Sequence, residues 1–356
     1  MTHWVAIPHP PLPKLVISAG QAASRLVPSP RLEPNCQAIH PLAAGDGRLH
    51  SAAMQRLLLS PAGPELSRLC LGTWRLRDDP AAATPQGFLA LLKTALDLGI
   101  TTVDTAEIYG LYRVEEIIGA ALALDAGVKR SIEIVTKAGI YVPCEFHPDR
   151  RTAYYNTSAD RLVKSAEKSL RFLGVEALDL FLVHRPDWLS RHEETAAGLN
   201  RLLRDGKIRA AGVSNFSPAQ FNALSSFAGQ PLVTNQVQFS PFCPEPIFDG
   251  TFDQCQERRI HPMAWSPTGG GRLFQADDEA GTRVRGVLDR LSEKYGGAGP
   301  DALCYAWILA HGATPFAVTG TNKPERLRSL AAGAGISLER EDWYAITEAA
   351  RGRKIP

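Results

Sequence analysis

Four polar residues at or just beyond the ends of three consecutive strand-like runs point to a chemistry. Asp104 and Tyr109 lie in TTVDTAEIYG, Lys137 in IEIVTKAG and His184 in LDLFLVHRPD. A tyrosine is a poor acid at neutral pH, with a reference pKa of about 10, so a phenol used as proton donor needs a cation beside it. Lys137 can be that cation, Asp104 can hold the ammonium, and His184 can bind the oxygen being protonated. Such a set reduces a carbonyl when another group brings the hydride.

The elements that must position these residues alternate along the chain. Strands are expected at LCLGT, TTVDT, IEIVTK, LDLFLVH, IRAAGVSN, LVTNQVQF, HPMAWS and PFAVTG. Between them lie amphipathic stretches such as QGFLALLKTALDLG, VEEIIGAALALD, DRLVKSAEKSLRFLG and EETAAGLNRLLRDG. Gly99, Gly174 and Gly206 stand where helices should stop, and Ser217-Pro218 and Lys323-Pro324 where helices should begin. Eight strands each followed by helix indicate an α/β fold of the (β/α)8 TIM-barrel kind, one domain over residues 54–356. An open eight-stranded sheet shares the same periodicity.

The strand ends favour the barrel, because function there gathers at the C-terminal ends of strands. Asp104, Lys137 and His184 end the second, third and fourth strands. Gly72-Thr73, Ser214-Asn215, Gln236, Trp265-Ser266 and Gly320-Thr321 close the first, fifth, sixth, seventh and eighth. Taken singly, Asp104 could cap a helix, Lys137 could be solvated and His184 could be a satisfied core imidazole. Their convergence on one rim is what these bland explanations leave unexplained.

Composition sets the outer limits. The chain has 356 residues, 44% hydrophobic and 21% charged, which suits a soluble globular protein with a large core. A net charge of +2 gives no case for nucleic acid or an anionic membrane surface. Six scattered cysteines without a CxxC pair read as reduced thiols in a cytoplasmic protein, with no metal site expected. No apolar run approaches a membrane span. Residues 1–53 hold eight prolines and two acidic residues, with no sustained period. They read as a Pro-rich disordered extension, a targeting segment, or spurious sequence ahead of a natural start at Met54, and the residues leave these open.

From Met54 onward the chain resembles the aldo-keto reductase family, and most of all a bacterial branch of NADPH-dependent oxidoreductases. The matching segments are LGTW (71–74), GITTVDTAEIYG (99–110), IVTKAG (134–139), LDLFLVHRPD (178–187), GKIRAAGVSNF (206–216), TNQVQFSPF (234–242), AWSP (264–267) and GTNKPERL (320–327). The resemblance implies Tyr109 as general acid, Lys137 as the cation that lowers its pKa, Asp104 as partner of Lys137, and His184 as the group that orients the carbonyl.

The resemblance also implies NADPH as cofactor, although no Gly-x-Gly-x-x-Gly fingerprint follows the first strand. Gly72 and Thr73 border its site. Ser214, Asn215 and Gln236 would bond the carboxamide, and Trp265 would stack on the nicotinamide. Ser266 and the loop through Gly271, Arg272 and Leu273 suit pyrophosphate. Gly320, Thr321, Lys323 and Arg326 suit the adenosine 2′-phosphate. Where the family often carries Glu-Asn near the adenine, three and four residues after the arginine, this chain has Ser329 and Leu330, a departure from the family's pattern.

A small carbonyl substrate is expected in a pocket lined by Trp74, Tyr109, Trp188 and loop residues near Tyr141, Tyr154 and Tyr155. The protein is expected to be a monomer or weak homo-oligomer. Two other readings are set beside the reductase. One is a non-catalytic NADPH-binding regulatory module resembling channel accessory subunits. The other is an aldolase using Lys137 as a Schiff base, which a lysine kept charged by a carboxylate disfavours.

Overall fold

All eight apolar runs become strands, and the strands close on themselves. The computed structural model describes residues 54–275 and 277–355, within the unit Gly45–Pro356. The readings of residues 1–53 lie outside the described residues. The strands are β1 (Leu69–Gly72), β2 (Thr102–Asp104), β3 (Glu133–Ala138), β4 (Leu180–Val183), β5 (Ala211–Ser214), β6 (Asn235–Gln238), β7 (Met263–Trp265) and β8 (Phe316–Thr319). Every neighbouring pair is parallel, and β8 pairs with β1, as the closed barrel requires. The fold is a (β/α)8 barrel.

Alternation along each strand sorts its residues between two cores. Cys70, Val135, Leu180, Leu182, Met263, Phe316 and Val318 form the cluster inside the barrel. Their neighbours Leu69, Leu71, Val103, Ile134, Phe181, Val183, Ala264 and Ala317 pack outward under the helices. An antiparallel hairpin, Arg56–Leu58 with Glu65–Ser67, precedes β1 and adds Leu59 and Leu66 to the inner cluster. The sequence reading did not anticipate this hairpin.

The helices form the outer ring. Those of seven residues or more are α1 (Pro85–Asp97), α2 (Val114–Ala123), α3 (Ala159–Leu173), α4 (His192–Arg204), α5 (Pro218–Ser225), α6 (Thr251–Glu257), α7 (Glu279–Ser292), α8 (Pro300–Leu309), α9 (Pro324–Gly333) and α10 (Arg340–Arg351). Helix α3 buries Leu162, Val163, Ala166 and Leu173 on one face and stops at Gly174, whose φ of +67° closes the last turn. Helix α5 starts as its sequence suggests. Pro218 is in its first turn, and Ser217 and Gln220 form a reciprocal capping box. No described helix is long and apolar enough to cross a membrane.

Glycine is required at the end of β1. A Cβ on Gly72 would lie 2.1 Å from the Thr319 carbonyl oxygen of β8, so the two strand ends can approach only without a side chain. The long segment after Lys137 is not all loop either: Ile140–Tyr141 pairs antiparallel with Tyr154–Tyr155.

Candidate active site

The parity of β3 sends Lys137 to the same side as Val135, inside the barrel, at its C-terminal end. Asp104 reaches the same interior from the last position of β2. Lys137 Nζ donates to Asp104 Oδ1 at 2.7 Å, to the Thr105 carbonyl at 2.8 Å and to the Tyr109 hydroxyl at 3.3 Å. Lys137 and Asp104 are each 1% exposed. A buried ion pair with its remaining donors satisfied is tolerated, but removing one partner costs about 3–5 kcal/mol.

Tyr109 arrives by a segment fastened to β3. Thr105 N–H donates to the Val135 carbonyl and Glu107 N–H to the Lys137 carbonyl. The chain then passes through Gly110, Leu111 and Tyr112, all with φ between +55° and +69°. Left-handed backbone at two non-glycine residues is strained and gathers at functional sites.

Burial raises the Tyr109 pKa, and Lys137 opposes this without overcoming it. Lys137 does lower the Tyr109 pKa, as expected of it, but burial raises it by more, so the net displacement is upward. The phenol is held protonated, and the ammonium offsets part of the penalty on the phenolate. Burial would depress Lys137 as well, but Asp104 and Tyr109 outweigh it and its pKa lies above the ordinary value.

His184 follows β4, with its ring 5.9 Å from that of Tyr109 and nearly perpendicular to it. Burial, helped by Lys137 and Arg185, holds its pKa well below the usual 6.5. The imidazole is neutral. Its Nδ1 is buried with no hydrogen-bond partner among the described residues.

Four further strand-end residues join in a chain of hydrogen bonds. Trp265 Nε1 donates to Asn215 Oδ1 at 3.0 Å, Asn215 Nδ2 donates to Ser214 Oγ at 2.7 Å, and Ser214 Oγ donates to the Gln236 carbonyl at 2.8 Å. Asn215 and Ser266 both hold positive φ, +61° and +54°. Gln236 does something its sequence did not reveal: Nε2 donates to Asp104 Oδ2 at 2.7 Å. Thr73 is tied to the same residue, its Oγ1 and N–H both donating to the Asp104 carbonyl.

The loops assigned to phosphates divide. Gly270 and Gly320 face open space, and Lys323 and Arg326 are exposed around the start of α9. Thr321 Oγ1 accepts from the Lys323 N–H. Arg272 makes two hydrogen bonds to Asp278, from Nε and Nη2. Leu273 is fully buried, with its N–H turned to the Thr268 carbonyl, and the Gly271 N–H uses the same acceptor. Arg75 Nη2 reaches across to the Gly270 carbonyl at 2.8 Å, and Asn322 Nδ2 donates to the Arg75 carbonyl at 2.7 Å. The loops after β1, β7 and β8 are thus joined. Ser329 Oγ lies 3.5 Å from Asp301 Oδ1, and Leu330 is buried.

Of the expected pocket residues, Trp74 packs edge-on against Tyr109 and Trp188 edge-on against Tyr155, both tryptophans largely exposed. Tyr141 does not belong with them. It is fully buried, pairs with Ser165 Oγ through its hydroxyl and stacks on Tyr154. Its place in a short strand turns it to the helix side. Arg185 was not singled out, although it directly follows His184. Its guanidinium lies 5.8 Å from the Trp265 ring centre, a second cation near the phenol.

The family model described as "Aldo/keto reductase family" matches residues 68–351. The chain is 40% identical over 303 residues to "Oxidoreductase YdhF" of Escherichia coli (strain K12), covering 85% of this chain and all of that protein. It is 40% identical over 302 residues to a "6-dehydroglucose reductase" of Agrobacterium fabrum, covering 85% of this chain and all of that one. A crystal structure of an aldo/keto reductase from Klebsiella pneumoniae in complex with NADP and acetate superposes with a TM-score of 0.66 at 26% identity. It covers 84% of this chain and 95% of that one.

Proposed function

Because this chain belongs to the aldo/keto reductase family, we propose that it reduces aldehydes and ketones to alcohols with NADPH, Tyr109 giving the proton. The observation that carries the reading is the single ammonium of Lys137 bonded to both Asp104 and the Tyr109 hydroxyl, beside a neutral His184. Reduced nicotinamide, when bound, supplies the hydride. His184 donates an N–H of its neutral imidazole to the carbonyl oxygen and orients it toward Tyr109. Tyr109 transfers its proton to that oxygen, and Lys137 stabilises the phenolate left behind. Asp104 keeps the ammonium aimed at the phenol.

The residues present fit a nicotinamide dinucleotide. Trp265 is half-buried and fixed by Asn215, which gives a flat aromatic face of set orientation. The backbone at Gly270 and Gly320 is open to close approach, and the α9 start with Lys323 and Arg326 suits a phosphate. Arg272 is better regarded as a brace for its loop than as a phosphate ligand, given its bonds to Asp278.

The test is Tyr109→Phe, assayed by NADPH absorbance with simple aldehydes and with 6-dehydroglucose, for which two relatives are named. Turnover should fall by about 10²- to 10⁴-fold, the usual contribution of a positioned proton donor, while NADPH still binds. Unchanged turnover would reject Tyr109 as the acid.

A further inference from the structure

We propose that Gln236 is a positioning residue of the proton-donating group, bracing Asp104 from the far side of the barrel. Gln236 is on β6 and Asp104 on β2, four strands apart in either direction round the closed barrel. Their hydrogen bond therefore spans the interior, between the two walls that face each other. It joins side chains that are 2% and 1% exposed.

A buried carboxylate needs donors on both oxygens, since an unsatisfied anionic oxygen away from water is strongly disfavoured. Lys137 Nζ serves Oδ1 and Gln236 Nε2 serves Oδ2, both at 2.7 Å. The carboxylate is thus gripped from two directions, and its orientation fixes where Lys137 holds its charge against Tyr109. The charged and titratable groups around it are Lys137, Tyr109 and Cys70.

The same bond sets the polarity of the amide. A carboxylate only accepts, so Nε2 must face Asp104 and Oε1 is the end left to a ligand. Gln236 can then receive an N–H, such as that of a carboxamide, but cannot donate to a carbonyl from that end. Cofactor orientation and the aim of the general acid meet in one side chain. The catalytic consequence rests on the reductase reading, whereas the brace itself does not.

The experiment compares wild type, Gln236→Met and Gln236→Glu without cofactor, by urea unfolding between about pH 5 and 9. Gln236→Met should lower the midpoint throughout. Gln236→Glu should lose stability progressively as pH rises, because Asp104 raises the pKa of the introduced carboxyl and its ionisation then opposes folding. Should Gln236→Met fail to fold, Gln236→Glu retains the size of the side chain and carries the test alone. In aldehyde reduction at saturating NADPH, the folded variant should lose on the order of tenfold to a hundredfold in kcat, as expected for a misplaced acid.

Both variants unfolding like wild type at every pH, with only NADPH affinity reduced, would overturn the brace. The pH signature in an enzyme inactive on all aldehydes would spare the brace and reject the reductase reading. Active wild type with pH-independent variants would do the reverse.

Discussion

Tyr109 sits where burial and a neighbouring ammonium pull its acidity in opposite directions, and burial prevails. A phenol above its ordinary pKa of 10 is protonated through the physiological range, as a proton donor must be. His184 is displaced the other way, well below 6.5, so it is neutral over the same range. Neither group should therefore titrate between about pH 6.5 and 9, and kcat for a neutral aldehyde should be level there. Below that window His184 gains a proton and the neutral imidazole is lost; above it, Tyr109 loses the proton it is proposed to give. A kcat–pH profile with an inflection near 7 would contradict this pair of assignments. The residue types of this site were legible in the sequence because the chemistry demands them. The sign of the Tyr109 displacement was not, since it depends on how completely the barrel excludes water.

At the scale of elements, Lys137 is the inward residue of β3 and Thr136 the outward one. Thr136 donates to Glu115 Oε1 of α2 at 2.6 Å, and Ser169 of α3 donates to Glu115 Oε2 at 3.0 Å. One buried carboxyl thus ties two helices to the strand that carries Lys137. Burial raises its pKa to about 7, opposed by the Thr136 and Ser169 hydrogen bonds, with Glu107 adding repulsion and Lys168 attraction. A folded pKa above the unfolded one contributes stability below the unfolded value, near 4.5, that is lost as pH rises through 7. Relative to Glu115→Gln, wild type should lose on the order of 3 kcal/mol across that window, read by urea unfolding. A constant difference would show that Glu115 ionises normally. The alternation of β3 was readable from its sequence. The role of Glu115 was not, because a glutamate early in a helix normally faces water and favours the helix dipole. The hairpin before β1 escaped for a similar reason: two three-residue strands carry too little pattern to recognise.

For the whole molecule, the closed barrel gathers residues from eight strand ends onto one rim, and cofactor choice is tested there. Lys323 and Arg326 are exposed at the first turn of α9, where cations oppose the helix dipole unless an anion joins them. Lys323→Ala should weaken NADPH binding far more than NADH binding, measured by fluorescence titration of each. Equal losses would remove the 2′-phosphate assignment. The sequence by itself determined the eight strands, several helix starts and the side chains available at each strand end, while closure of the sheet into a barrel appears in the pairing of β8 with β1. Periodicity and turn residues are local properties, written within a few residues of where they act. Only the tertiary structure decided that Gln236 braces Asp104, that Arg272 pairs with Asp278, and that Tyr141 turns away from the mouth. Those outcomes depend on which distant strand or loop comes within hydrogen-bond reach once the barrel closes, and on how much water is left there.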